Sequence, residues 1–261
     1  MIYLPVFVFG AIIGSFLNVC IYRVPKDESI VRPASRCTSC GSPIRSYDNI
    51  PILSYIILMG RCRNCNAKLS FRYPLVEFLN AALYVMVLRR FGMDSPWILA
   101  VYFVFVSILI VIFFIDLDHQ IIPDSITLPG IPLAIVLGSA ILPDPFTVNE
   151  LLGPRGALAG FAAGGGFFYL IAILGKAVFK KDAMGGGDIK MMGMVGGVLG
   201  WKGVILTTFM GSLFGSVIGV SLIMLKGREW GSRIPFGPYL TVGALISLFW
   251  GRDILLWYFH A

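Results

Sequence analysis

Long apolar runs alternate with short polar stretches along most of the chain. The runs fall at 4–22, 74–91, 97–115, 125–142, 156–179, 189–200, 203–225 and 236–259. A transmembrane helix needs about 20 mostly apolar residues to cross the hydrocarbon core of a bilayer. Seven of the runs approach that length, whereas 189–200 is only about half a span. The pattern therefore predicts seven or eight transmembrane helices.

The distribution of basic residues favours eight helices. Lys and Arg concentrate in the cytoplasmic loops of membrane proteins. With eight spans and the polar stretch 23–72 in the cytoplasm, sixteen of the 21 Lys and Arg residues lie on the cytoplasmic side. With seven spans, the cluster around Lys226 would move to the opposite side. We therefore predict eight helices and an N-terminus outside the cytoplasm, with Asp116 and Asp188 at the cytoplasmic face of the membrane.

The composition supports this interpretation. The chain is 57% hydrophobic and only 13% charged, whereas soluble proteins carry about 25% charged residues. The predicted fold class is thus an all-α polytopic membrane protein with a small cytoplasmic loop domain. We interpret the net charge of +7 as an orientation signal and not as a nucleic-acid surface. The start of the chain lacks the basic region and small-residue cleavage site of a signal peptide, so the first span is expected to remain.

The polar stretch 23–72 contains two Cys-x2-Cys pairs, Cys37 with Cys40 and Cys62 with Cys65. Such pairs are typical of a tetrahedral zinc site, and a segment this small needs a metal or disulfides to hold its fold. Four thiolates leave no open coordination position, so the zinc is predicted to be structural. Two disulfides or a redox role are the alternatives, which the predicted cytoplasmic location disfavours. Cys20, within the first apolar run, is interpreted as an apolar filler.

Two carboxylates stand at the edges of apolar runs. Asp116 directly follows the run 97–115, and Asp188 follows three consecutive glycines. A charged side chain at bilayer depth costs about 3 kcal/mol, which makes both residues candidates for function. The alternatives are a simple membrane-edge carboxylate for Asp116 and a helix N-cap for Asp188.

Paired carboxylates can hydrolyse a peptide bond. Two that lie close together share a proton, so one acts as general base and the other as general acid. The only two histidines, His119 and His260, are far apart in the sequence, which disfavours a metalloprotease or a Ser-His mechanism. The candidate supporting residues around the pair are Gly185, Gly187, Lys190, Asp118 and Asp124. For Asp118 and Asp124 a solvated loop or a helix cap is the alternative.

Several motifs together resemble a known family. Gly185-Gly186-Gly187-Asp188 satisfies the Gly-x-Gly-Asp pattern of intramembrane-type aspartyl proteases. The other motifs are Gly14-Ser15-Phe16-Leu17-Asn18, Tyr22-Arg23-x-Pro25, Phe71-Arg72-Tyr73-Pro74-x-x-Glu77, the string from Ile115 to Pro129 and the paired cysteines. From Gly14 to about Gly200 the chain is similar to bacterial type IV prepilin peptidases.

The resemblance implies a function and a set of roles. Such an enzyme removes the leader of prepilins or pseudopilins at the cytoplasmic membrane face, and then methylates the new N-terminus with S-adenosylmethionine. It implies Asp116 and Asp188 as the catalytic pair and the cytoplasmic (inner) membrane as the location. Arg72 and Glu77 are candidate methyltransferase residues, with an interfacial pair of opposite charges as the alternative. The expected domains are a first helix at 1–22, the zinc loop at 23–72 and the peptidase core at 73–261.

Two other functions share some of these sequence features. Another Gly-x-Gly-Asp protease of the membrane would share the glycine-aspartate motif, but it would not explain the cysteine pairs. A proton-coupled transporter could also use membrane carboxylates. A transporter is expected to have internal repeats with interrupted helices in both halves, and the sequence contains no convincing repeat of this kind.

Overall fold

The computed structural model describes residues 2–147, 150–180, 184–226 and 235–260. Within these ranges the chain is helical, and its only β-structure consists of three isolated bridges. The helices are α1 (Tyr3–Arg23), α2 (Leu53–Ile57), α3 (Arg72–Phe91), α4 (Pro96–His119), α5 (Asp124–Ala140), α6 (Gly153–Phe161), α7 (Phe167–Phe179), α8 (Gly186–Lys226) and α9 (Gly237–His260). All of the predicted apolar runs coincide with helices, which confirms the all-α fold class.

Helix α8 consists of two helices joined at Gly200. Gly200 has the non-helical torsion angles φ 70° and ψ 179°. A Cβ placed on Gly196 would lie 3.0 Å from Cγ2 of Val204, although residues eight apart in a straight helix are separated by about 12 Å. The chain therefore folds back on itself, and we name the two halves α8a (186–199) and α8b (201–226). This division matches the predicted half-span and the full span that follows it.

The number of helical segments agrees with the prediction of about eight. Five candidate spans among the described residues are long and apolar enough to cross a membrane: Tyr3–Lys26, Pro96–His119, Gly153–Val178, Gly186–Leu222 and Gly237–Phe259. The span Gly153–Val178 contains a π-helical turn, Ala162–Gly166, which joins α6 to α7. Helix α5 is a shorter apolar helix.

The chain divides into two compact units, Met1–Ile115 and Asp116–Ala261. In the first unit α1 packs closely against α3. A Cβ on Gly10 would lie 2.7 Å from Cα of Ala81, and one on Gly14 would lie 2.6 Å from Cα of Glu77. Real Cβ atoms do not approach other atoms this closely, so the crossing of the two helices requires glycine at both positions.

A buried polar network also holds the helices of the first unit. The amide of Asn80 donates a hydrogen bond of 2.7 Å to the carbonyl of Gly10 and accepts one of 2.9 Å from the hydroxyl of Ser107. The Ser107 hydroxyl lies 3.0 Å from the Tyr84 hydroxyl. Because apolar surroundings penalise an unsatisfied polar group, this network fixes how α1, α3 and α4 are arranged.

Helix α8a lies at the centre of the second unit, where residues 191–200 are all buried. It contacts α5 and the α6 segment through glycines. A Cβ on Gly160 would lie 2.0 Å from the carbonyl oxygen of Gly196, and one on Gly138 would lie 2.1 Å from that of Gly197. Small residues spaced in this way allow membrane helices to approach closely. Because neighbouring helices surround α8a, it need not be long enough to span a bilayer by itself.

Helices α8b and α9 pack antiparallel to each other. Gly211 lies against Leu240, and Gly243 lies against Thr207, whose carbonyl oxygen would be 2.4 Å from an added Cβ. The Ser247 hydroxyl donates a hydrogen bond to the carbonyl of Gly203. The beginning of α9 therefore lies beside Gly215, near the middle of α8b, and the chain returns towards the level at which α8a begins.

The π-helical turn offers a direct test of this packing. In Gly164→Ala the new methyl would lie 2.0 Å from the carbonyl oxygen of Met192, so we expect the variant to be destabilised by about 1–3 kcal/mol. In Gly166→Ala, two residues away in the same turn, the methyl meets no atom within 4 Å. The free energy of unfolding of this control should lie within about 0.5 kcal/mol of the wild-type value. The measurement is the midpoint of SDS-induced unfolding in detergent, and equal midpoints for the two variants would contradict the packing.

Candidate active site

Asp116 is a buried carboxylate near the end of α4. Its side chain is only 5% exposed, whereas Asp118, two residues further along the helix, is exposed. Two positions separated by two residues point to different faces of a helix. The structure thus separates Asp116 from Asp118, as the spacing predicts.

Asp188 lies in the first turn of α8a, two residues after the helix begins. Its backbone N–H donates a hydrogen bond of 3.2 Å to the carbonyl of Gly185. The glycine before it is required by close packing, since a Cβ on Gly187 would lie 2.7 Å from Cβ of Ile122. The glycine run therefore lets the start of α8a approach the segment that follows α4. Asp188 is half-buried at this contact.

The beginning of α9 completes the site. The backbone N–H of Gly237 donates a hydrogen bond to the Asp116 carboxylate. An added Cβ on Gly237 would lie 2.6 Å from Oδ2 of Asp116 and 3.1 Å from Cδ1 of Ile122. Ile122 thus contacts both Gly187 and Gly237, and the two carboxylates are near enough to interact electrostatically. The structure therefore brings Asp116 and Asp188 together at the meeting point of three helix ends.

Gly237 is a site residue that the sequence reasoning missed. Gly237-Pro238 opens the last apolar run, and proline at the first helical position is a usual signal for the start of a helix. That signal predicts where α9 begins. The contact with Asp116 depends on tertiary packing, and no local pattern predicts it.

Lys190 and Asp124 form an ion pair beside the two carboxylates. The Lys190 Nζ lies 2.6 Å from Oδ1 of Asp124, and both side chains are partly exposed. Asp124 is the first residue of α5, and Pro123 occupies the N-cap position. An exposed ion pair of this kind contributes about 0–1 kcal/mol. It fixes the position of α8a relative to α5 more than it stabilises the fold.

The four cysteines of the 23–72 stretch lie together. Their sulfur atoms are all within 4.8 Å of one another, and the Sγ atoms of Cys37 and Cys65 are 3.9 Å apart. A tetrahedral zinc with Zn–S bonds of about 2.3 Å needs sulfur separations of about 3.8 Å. The cluster can therefore hold a metal ion and fits a structural zinc site.

The two Cys-x2-Cys pairs have the same backbone geometry. In each pair, the residue directly after the second cysteine has a positive φ: 70° at Gly41 and 55° at Asn66. The N–H groups of Gly41 and Asn66 each donate a hydrogen bond of 2.9 Å to the carbonyl of the first cysteine of their pair. Hydrogen bonds from the side chain and backbone of Ser42 lower the pKa of the Cys40 thiol to about 6. A metal binds the thiolate form, which the lowered pKa of Cys40 favours, whereas the pKa of the Cys65 thiol in the same cluster is raised to about 11.

Arg72 and Glu77 have different surroundings. The Arg72 guanidinium lies over the ring of Phe114, 4.8 Å from its centroid. The Glu77 carboxylate accepts a hydrogen bond of 2.7 Å from the backbone N–H of Ile52. Glu77 lines a cavity of the first unit, and Arg72 is not among the residues that line it.

These features define a helical membrane protein with a paired-aspartate centre and a separate four-cysteine metal centre. Residues 8–91 match the family model of the bacterial peptidase A24 N-terminal domain, and residues 103–220 match that of the type IV leader peptidase family. The chain belongs to the type IV leader peptidase family, as the resemblance predicts.

Similar proteins cover most of the chain. A prepilin leader peptidase/N-methyltransferase of Myxococcus xanthus is 42% identical over 85% of this chain and 63% of its own length. Proteins of the same name from Aeromonas salmonicida and Pseudomonas aeruginosa are each 34% identical, over 97% and 94% of this chain and 92% and 89% of their own lengths. No solved structure matches the chain.

Removal of the metal should loosen the 23–72 stretch. We expect purified protein to contain zinc, and Cys62→Ser to lose it, because three sulfur ligands hold the ion less tightly than four. The measurement is zinc content by elemental mass spectrometry together with limited proteolysis, which should cut within 23–72 only after zinc loss. Cys20→Ser, whose thiol lies outside the cluster, is the control and should keep both the zinc and the resistance. Full zinc content in Cys62→Ser would contradict the assignment.

Proposed function

We propose that this chain is a membrane aspartyl endopeptidase that removes the leader peptide of type IV prepilins or pseudopilins and then N-methylates the new N-terminus. The observation that carries the proposal is the convergence of Asp116 and Asp188 at the start of α8a and α9. The names of the relatives support both activities. Membership of the leader peptidase family disfavours the transporter and the other membrane proteases.

The proposed location is the cytoplasmic membrane. The N-terminus lies outside, and the cysteine loop and the aspartate pair lie at the cytoplasmic face. The excess of Lys and Arg on one predicted side supports this orientation. In this proposal residues 1–22 form the first span, 23–72 the metal-binding loop and 73–261 the peptidase core.

The two aspartates have distinct roles in the proposed hydrolysis. We assign the general base to Asp116, because its carboxylate accepts the Gly237 N–H at the positive end of α9. It takes a proton from the attacking water. Asp188, which holds the shared proton, donates a hydrogen bond to the scissile carbonyl and then protonates the leaving amine. The water oxygen forms the new C–O bond while the C–N bond breaks.

The substrate of the proposed reaction has a basic leader. Asp118 and Asp124 are exposed acidic residues at the same end of the second unit as the aspartate pair. Their charges would attract the leader while the apolar segment of the prepilin lies in the bilayer.

The methylation needs S-adenosylmethionine as the methyl donor. When bound, it supplies a sulfonium methyl group: the free amine forms the N–C bond, the S–C bond breaks, S-adenosylhomocysteine leaves and the amine gives a proton to water. In the proposal the cysteine loop and the ends of α1 and α3 hold the donor. The metal has a structural role, since four thiolates leave it no open position.

The aspartate pair is tested by single exchanges. We expect Asp116→Asn and Asp188→Asn each to abolish cleavage of a purified prepilin in detergent, because each removes one member of the acid–base pair. The products are read by mass spectrometry, and added S-adenosylmethionine should make the wild-type product about 14 Da heavier, the mass of one methylene.

The matched controls are aspartates next to the pair. Asp118→Asn combined with Asp124→Asn should weaken binding of a leader peptide and leave cleavage at saturating substrate close to that of the wild type. Loss of cleavage in Asp124→Asn with cleavage retained in Asp116→Asn would move the first catalytic position to Asp124. Absence of cleavage by the folded wild type would reject the peptidase proposal.

The glycines of the site give a second test. In Gly187→Ala the new methyl would lie 2.7 Å from Cβ of Ile122, and in Gly237→Ala it would lie 2.6 Å from the Asp116 carboxylate. Either methyl displaces a catalytic aspartate, and a displacement of about 1 Å can cost a hundredfold in rate. We expect kcat/KM to fall at least about tenfold in both variants. In Gly237→Ala the pH–rate profile should also shift, because the new methyl moves the Asp116 carboxylate away from the backbone N–H at position 237.

Gly186→Ala is the control for these variants. It lies in the same glycine run, and its new methyl meets no atom within 4 Å. We expect its kcat/KM to stay within about threefold of the wild type. A loss as large as that of Gly187→Ala would show that flexibility of the run, and not space, is what the site requires.

A further inference from the structure

Five large apolar side chains in or next to the cysteine loop are between 57% and 84% exposed. Four of them lie in α2 or within two residues of it, and the fifth, just before α3, belongs to a ring that lies 6.3 Å from the Tyr55 ring of α2. We call them the loop patch: Leu53, Ile56, Ile57, Met59 and Phe71. A contiguous exposed apolar patch marks a surface that binds a protein, a ligand or a membrane.

The segment that leads into α2 lies beside the membrane-spanning part of α1. Asn49 and Pro51 line a cavity of about 260 Å³ together with Ile12 and Phe16. Ile12 and Phe16 precede the end of α1 at Arg23 by eleven and seven residues, which corresponds to about 16 and 10 Å along the helix axis. Both lie within the candidate membrane span that α1 forms. The chain therefore enters α2 alongside the membrane-spanning helix and not beyond its end.

Helix α3 places the same segment at a similar depth. The N–H of Ile52, the residue before α2, donates a hydrogen bond of 2.7 Å to the carboxylate of Glu77. Glu77 lies in the second turn of α3, which begins at Arg72. Phe71 and the exposed Phe78 are seven residues apart and so lie on one face of the helix. The loop patch therefore continues the exposed apolar surface of α3.

The backbone around α2 finds hydrogen-bond partners within the protein, as a segment that leaves water must. The Ile50 N–H donates to the Ser54 hydroxyl at 3.1 Å, and that hydroxyl donates to the carbonyl of Tyr47 at 3.0 Å. At the other end of α2, the Met59 N–H donates to the carbonyl of Ile56 at 3.0 Å. These internal contacts lower the cost of placing α2 among lipids.

The charges around the loop patch indicate the kind of lipid. The cysteine loop has nine Lys and Arg residues against three Asp and Glu residues. Arg61 is exposed just after the turn that ends α2. Arg45 and Arg63 lie 5.8 and 5.6 Å from the ring centroid of Tyr47, and Arg63 also pairs with Asp48. An apolar surface bordered by basic residues is typical of segments in the headgroup region, and the excess of positive charge attracts anionic lipids.

We propose that the loop patch inserts into the adjacent membrane leaflet, between the headgroups and the upper part of the acyl chains, and that the arginines around it bind anionic phospholipids. Helix α2 is then an interfacial helix and not part of a fully soluble loop. Together with the contact between Ile52 and Glu77, the insertion keeps the cysteine loop close to α1 and α3. Neither cleavage nor methylation is needed for this insertion.

The first experiment labels the full-length, zinc-containing wild type with a photoactivatable lipid. The protein is placed in nanodiscs of phosphatidylcholine and phosphatidylglycerol, and a fraction of the phosphatidylglycerol carries a diazirine in its acyl chain. After illumination we expect lipid adducts on the tryptic peptide 46–61, which contains α2, and none on peptide 37–45, which contains exposed residues of the same loop. Peptides of α1 should be labelled and serve as the positive control.

The outcomes of this labelling separate the possible occupants of the loop patch. Absence of label from peptide 46–61 in discs that label α1 would overturn the insertion, since the patch would then face water or another protein. The same diazirine on phosphatidylcholine, at an equal amount, should label peptide 46–61 at least about twofold less, because it lacks the attraction of the basic residues for an anionic headgroup. Equal label from the two lipids would overturn the binding of anionic lipids.

The second experiment compares the same exchange at two exposed isoleucines of the loop. In Ile57→Asp a charged side chain replaces an apolar one in the loop patch, so we expect label on peptide 46–61 to fall at least about fivefold. Ile44→Asp, in peptide 37–45, is the control and should leave that label unchanged. Zinc content and the midpoint of SDS-induced unfolding are measured on both variants and should match the wild type. Equal label in Ile57→Asp and the wild type would contradict the insertion.

Discussion

Close approach of helix backbones is the constraint on which the second unit depends. In a bilayer the lipid tails are as apolar as the side chains, so helices associate through close packing rather than through exclusion of water. Gly138, Gly160 and Gly164 place α5 and the α6 segment directly against the backbone of α8a. The same device recurs at Gly187 and Gly237, where it brings two carboxylates to one point. Packing and the candidate chemistry therefore have the same origin, the absence of side chains at selected positions.

The first unit is held by other means. Its cysteine loop buries few of its apolar side chains, since Ile56, Ile57 and Met59 are exposed. Two Cys-x2-Cys turns of the same geometry bring four sulfur atoms together. Around this centre the loop is fixed by directed polar contacts, such as Arg23 with the carbonyls of Ser29 and Pro33. A metal and hydrogen bonds thus replace a hydrophobic core, as in other segments too small to have one. Because the loop forms one wall of the cavity that Glu77 lines, its rigidity keeps the shape of that cavity.

The sequence predicts the helices and the cysteine centre well because both follow from local rules. A bilayer admits only helices or closed barrels, so an apolar run of sufficient length becomes a helix. Each Cys-x2-Cys pair forms a local turn that ends at a residue with positive φ, Gly41 or Asn66. The contacts of Gly237 with Asp116 and of Ile52 with Glu77 join segments far apart in the chain, and no local pattern encodes them. The N-cap-like interpretation of Asp124 differs by one residue from the structure, where Pro123 holds that position.

The reversal at Gly200 decides on which side of the bundle the chain emerges. If α8 continued straight, its far end would lie on the opposite face from Asp188, and α9 would begin there. Because the chain turns back at a glycine with φ 70°, α8b returns from Gly200 towards the level of Asp188, where α9 also begins. Both residues consequently lie at one level, together with Asp116 at the end of α4. The reversal at one glycine thus decides whether these helix ends can form one site.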